Sequence, residues 1–173
     1  MTLLADRQVQ SRPSTHRVIE DLRSAHLSTE EPWKRPKNLK GSRGKGLTYQ
    51  RRVERELKRR FSFCARDLFI GQWLAFLDGN GRGFAQPDAY LVGPHSIVVF
   101  EVKLTQHPNG LQQIHQLYRP LLGFIYEKPV TGILICRNLV TSPGRWGISD
   151  PELVLDDTSG NTYTWHWLDH GSS

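Results

Sequence analysis

The chain has 173 residues, 38% of them hydrophobic, with a formal net charge of +6 and a pI near 9.6. That length fits one domain plus an arm, the basic balance favours an acidic partner such as nucleic acid or an anionic surface, and the lack of any run of about 18 apolar residues excludes a membrane-spanning helix. The charge is unevenly placed: residues 1–60 carry 16 Lys/Arg against 7 Asp/Glu, whereas residues 61–173 carry 7 against 10.

Residues 1–46 are rich in Pro, Ser, Lys and Arg and end in KRPKNLKGSRGKG. This is the composition of a flexible basic arm, within which VIEDLRSAHL can form one short helix. The opening MTLLADRQVQ has no apolar h-region and no cleavage site, so a cytoplasmic protein of a bacterium or a phage-infected cell is expected. LTYQRRVERELKRRF then predicts a helix over 47–61, with Leu47, Val53, Leu57 and Phe61 as its apolar stripe and Arg and Lys crowding the other face. LFIGQWLAFLDG reads as a strand, and Asp78-Gly-Asn-Gly-Arg-Gly83 as its turn, because Asp-Gly and Asn-Gly tolerate positive φ. FAQPDAYLV and SIVVFEVKLT read as the second and third strands of an antiparallel meander. LQQIHQLYRPLLGFIY is a helix up to Pro120 or slightly beyond. VTGILICRNLV is a buried strand that can pair in parallel after it, and PELVLDDTSGNTYTWHWL is a hairpin. Cys64 and Cys136 have no metal-type spacing and read as reduced core thiols. His95, His107 and His115 are too scattered for zinc.

The expected fold is α/β, with a mixed central sheet (the meander plus a parallel strand) flanked by helices. The expected organisation is a basic arm over 1–46, a core over 47–140 and a hairpin extension of the same domain over 141–173.

Three ionisable side chains interrupt the apolar strands. Asp88 falls in the second, Glu101 and Lys103 in the third. Residues two apart on a strand share a face, and an antiparallel neighbour brings Asp88 beside Glu101. Two close carboxylates repel in a poor dielectric, and a divalent cation between them removes that penalty. Hard oxygen ligands suit Mg²⁺ or Mn²⁺, with the Val102 carbonyl as a third oxygen. Lys103 can position or deprotonate a water, or stabilise phosphate charge. The set suits metal-assisted phosphodiester hydrolysis.

Pro87-Asp88, twelve residues, then Glu101-Val102-Lys103 resembles the signature of the PD-(D/E)XK nuclease superfamily. The order helix, three strands, helix, strand over about 46–140 resembles its restriction-endonuclease-like core. DAYLVGPHSIVVFEVK is also similar to the nuclease-related-domain pattern, and resolvase-like phage members share the same core. Gly46-x-x-Tyr-Gln-x-x-Val53 resembles the first helix of such nucleases, which often supplies a Glu near the metal. Gln50 stands at that place here, with Glu54 one turn later on the same face, and either is a candidate. Exonuclease-like members carry a Gln and a Tyr on the helix after Glu-x-Lys. Gln113, Gln116 and Tyr118 are the counterparts, although their spacing departs from the usual Gln-x-x-x-Tyr.

The resemblance implies an Mg²⁺-dependent deoxyribonuclease, endo or exo, with Asp88, Glu101 and Val102 on the metal. Lys103 would act on the water, and Glu54, Gln113 and Gln116 would complete the site. DNA would be gripped through Lys40, Arg43, Lys45, Arg51, Arg52, Arg55 and Tyr118. Recombination, repair, restriction or phage DNA processing would all use such an enzyme, and a branched-DNA substrate would call for a homodimer. The alternative is a non-catalytic DNA-binding or assembly protein on a nuclease-like fold.

Overall fold

The computed structural model describes residues 17–32, 41–138, 153–155 and 162–167. Its elements in chain order are β1 (Ser24–Ser28), α1 (Gly41–Arg60), a short 3₁₀ turn (Ser62–Cys64), β2 (Leu68–Ile70), β3 (Trp73–Asp78), β4 (Gly81–Ala85), β5 (Ala89–Val92), β6 (Ile97–Thr105), α2 (Pro108–Gln113), a π-helical turn (Ile114–Tyr118), α3 (Arg119–Tyr126), β7 (Val130–Asn138), β8 (Leu153–Leu155) and β9 (Thr162–His166). The class is the expected mixed α/β. A six-stranded sheet runs β2-β5-β6-β7-β9-β8, antiparallel at β2-β5-β6 and β8-β9 and parallel at β6-β7-β9. No helix among the described residues is long and apolar enough to cross a membrane.

Both faces of this sheet are covered, so its central strands are almost continuously apolar. Alternation along β6 assigns the layers. Ile97 and Val99 join the core beneath the π turn and α3, with Ile114, Leu117, Leu121 and Leu122. Phe100 and Val102 face the other way and pack under Tyr49 and Val53 of α1, with Ile135 and Trp165. The tail hairpin exists as expected, with Leu153 opposite Trp165. Trp165 and Trp167 both serve as core cover beneath α1.

Two expectations need correction. The meander's first two strands are each broken, at Gly71-Gln72 and at Gln86-Pro87-Asp88, and β3 and β4 peel away into a separate three-stranded sheet, β1-β3-β4. Gly71 holds φ +61°, a conformation that L side chains rarely adopt, and Pro87 has no N–H for a ladder. The bend is stitched by the Gly71 amide donating to the Asp88 carbonyl at 3.0 Å and by Gln86 Nε2 donating to the Gly71 carbonyl at 2.7 Å.

The second concerns the N-terminal segment. Residues 17–32 are not an arm, and VIEDLRSAHL forms no helix. Instead β1 pairs antiparallel with β3, Ile19, Leu22 and Ala25 pack on the core, and Arg17 forms an ion pair with the buried Asp78. A further bond explains the docking. Pro120 cannot donate to the carbonyl one turn before it, and that carbonyl, of Gln116, accepts the Ile19 amide at 3.0 Å instead.

Candidate metal and nuclease site

The site begins where the sheet opens. Ala89 opposite Phe100 is the last β5–β6 pair on this side, so the Val102 amide has no ladder partner on β5. Asp88, released by the bend at Pro87, turns its carboxylate back and accepts that amide on Oδ2 at 2.8 Å. Its Oδ1 accepts Gln50 Nε2 from α1 at 2.7 Å. The same Gln50 amide donates to Glu54 Oε1 at 3.2 Å. Of the two α1 candidates, Gln50 therefore touches Asp88, and Glu54 bonds to Gln50.

Glu101 continues the inward row of Ile97 and Val99 and is 3% exposed. Its Oε1 accepts Lys103 Nζ at 2.5 Å. Its Oε2 is buried with no hydrogen-bond partner. Burial first, and the nearby Asp88 charge second, push the Glu101 carboxyl up, against the opposing pull of Lys103. Burial works to lower the Lys103 ammonium, but the Glu101 carboxylate, aided by Asp88, carries it above the usual lysine value.

This donor set fits a hard divalent cation. An orphaned carboxylate oxygen in a dry setting is costly, and the neighbouring second carboxylate adds to that cost. The Val102 carbonyl leaves the same edge of its extended strand as the amide that Asp88 binds. No group of three His, Cys, Asp or Glu side chains converges among the described residues, so an ion here would rely on two carboxylates, a carbonyl and water.

The helix layer supplies Gln113 and Tyr118. Gln113 is 5% exposed and donates to the Tyr118 hydroxyl at 3.4 Å, and that hydroxyl donates to the Gln86 carbonyl at 3.2 Å. Tyr118 also lies close enough to Glu101 to favour its charged form. Gln113 and Tyr118 are five positions apart, one too many for an α-helix face. The π turn has a five-residue hydrogen-bond period and returns them to one side. Gln116 points outward, exposed. Tyr118, buried at 4%, belongs to the interior and not to a DNA-facing surface.

Among the basic candidates, Arg43, Lys45, Arg51 and Arg55 are exposed along α1 and Arg52 is half-buried. Lys40 lies outside the described residues. Sequence reasoning missed Gln86, whose carbonyl holds Tyr118. A scan of family models finds no match for this chain, and neither the curated proteins nor the solved structures contain a match.

Proposed function

We propose that the chain is a metal-dependent DNA nuclease of the PD-(D/E)XK type, hydrolysing phosphodiester bonds with Mg²⁺ or Mn²⁺. The observation that carries the proposal is the buried Glu101 carboxylate, with one oxygen on Lys103 and the other without a partner, beside the carboxylate of Asp88. Asp88, Glu101 and the Val102 carbonyl would hold the ion. When bound, the ion neutralises the two carboxylates and supplies an acidified water.

Lys103 keeps its proton beside Glu101 and so acts as a donor, orienting the water and balancing the charge that develops on the phosphate. Gln50 fixes the Asp88 rotamer from α1. Tyr118 faces Glu101 from the helix layer, and Gln113 bonds to Tyr118. The basic face of α1 would contact backbone phosphates.

The test is single-turnover cleavage of DNA by Asp88→Ala, Glu101→Ala and Lys103→Ala, each checked for folding. All three should lose cleavage while unfolding cooperatively, and a variant set that cuts like the parent overturns the proposal. One observation favours the alternative of a non-catalytic DNA-binding or assembly protein: the α1 side chain on Asp88 is an amide, Gln50, and not a carboxylate. Metal-dependent binding of DNA without any cutting would support that reading.

A further inference from the structure

The site leaves unused a groove of about 800 Å³ on the opposite face of the sheet, between the start of α1 and the carboxyl ends of β6 and β7. Lys45, Thr48 and Arg52 line it from α1, and Arg137 and Asn138 line it from the end of β7. Leu104, next in the chain to Lys103, forms part of its wall. Among the described residues three cations face this groove and no carboxylate does. Neither Lys45 nor Arg137 has an ion pair among the described residues. Clustered like charges raise the local potential and attract an anion.

The groove does not stand alone. Thr48 and Arg52 also line an adjoining hollow of about 480 Å³, with Arg51, Arg55 and Lys58 and a single carboxylate, Glu54. Lys45 and Lys58 lie about 20 Å apart along α1 at 1.5 Å per residue. Arg59 and Arg60 are drawn off to Glu56, so the exposed cations Lys45, Arg51, Arg55 and Lys58 mark out a track along the helix that ends at Arg137. A track of this length matches a repeating polyanion better than a single small anion.

We infer that this groove is a second nucleic-acid contact, in which Lys45, Arg52 and Arg137 hold a backbone phosphate away from the Asp88–Glu101–Lys103 site. The inference rests on the proposed DNA substrate and adds the residue that ends the track, Arg137. Its role is to bind and position the strand, with no part in the chemistry.

The experiment is binding of a fluorescein-labelled duplex of about 20 base pairs and a single strand of about 20 nucleotides, both long enough to cover the track, by anisotropy in EDTA across a salt series. Arg137→Ala should weaken binding about three- to tenfold and lower the slope of log affinity against log salt by about one. Arg137→Lys should recover most of the slope. Arg66→Ala, exposed on the loop before β2 and outside the groove, should change neither. Lys45→Ala repeats the test should Arg137→Ala melt early. Parent-like affinity and slope in both variants overturn the groove and leave the nuclease proposal standing. Failure of the parent to bind either DNA in EDTA overturns the groove. A parent that binds through Arg137 yet cuts nothing with Mg²⁺ or Mn²⁺ upholds the groove and overturns the nuclease.

Discussion

Gly132→Ala tests how closely the helix layer sits on the sheet. Gly132 is buried in the middle of β7, and a Cβ there would lie 2.2 Å from Ile114 Cγ2 and 3.4 Å from Thr162. Carbon atoms pack at about 3.5–4.0 Å, so the new methyl must displace Ile114 by about 1.5 Å. Ile114 is fully buried and opens the π turn. Its β-branched side chain is stiff at χ1, so the helix itself must lift. Overpacking of this kind costs about 1–3 kcal/mol, which lowers Tm by roughly 2–12 °C for a chain of this size. Because the same turn carries Tyr118 and follows Gln113, the lift also disturbs the groups around Glu101. The assay is a urea double-mutant cycle. Ile114→Ala alone should cost about 2–5 kcal/mol through its cavity. The double variant should cost less than the sum by at least about 0.5 kcal/mol, because each change relieves the other. A parent-like midpoint for Gly132→Ala, or strict additivity, refutes the close approach.

Other consequences follow from the same contacts. Arg17→Ala strips the buried Asp78 of its counter-charge, and breaking such a pair costs about 3 kcal/mol or more. A thermal melt should therefore fall by several degrees, and an unchanged melt would mean that the segment before β1 is not docked. Glu56 is held at about 2 by hydrogen bonds from Arg59 and then Arg60. Its contribution is present above the ordinary value of 4.5 and is lost as pH falls through about 2. Arg59 is 69% exposed, so screening keeps the effect of Glu56→Gln to about 1 kcal/mol or less at pH 7. The gap between Glu56→Gln and the parent in urea should close in acid, and a constant gap counts against the pairing. Mg²⁺ at 100 times its Kd should stabilise the parent by about 2.7 kcal/mol. Glu101→Gln should abolish that thermal shift, and an equal shift in both proteins would place the ion elsewhere.

The local patterns that were legible are those governed by short-range rules. The α1 stripe of Val53 and Leu57 is helical in spacing and buried as such. Glu101 stood out because a carboxylate interrupts Ile97-Val98-Val99-Phe100, and it is indeed buried. Asp78-Gly-Asn-Gly closes the β3–β4 hairpin, with Gly81 at φ +96° and Asp78 Oδ1 accepting the Asn80 amide at 2.9 Å. What was not legible depends on distant partners. Nothing in SAHLS announces a strand, since its pairing with β3 follows from Arg17 reaching Asp78, 61 residues on. The choice between Gln113 and Gln116 turned on a π turn that helical periodicity cannot represent. The preference between Gln50 and Glu54 turned on which of them the Asp88 carboxylate faces, and that orientation is set by the bend at Pro87. Arg137 joins Lys45 only through the parallel pairing of β6 with β7.

Cleavage itself decides whether Asp88, Glu101 and Lys103 form a working site. Labelled linear duplex, single-strand and four-way-junction DNA would be incubated side by side with Mg²⁺ or Mn²⁺, with Lys103→Ala and EDTA as controls. The expected result is product from at least one substrate, formed only when both the metal and Lys103 are present. Tight binding with no cleavage under either metal, or cleavage that persists in Lys103→Ala, would contradict it.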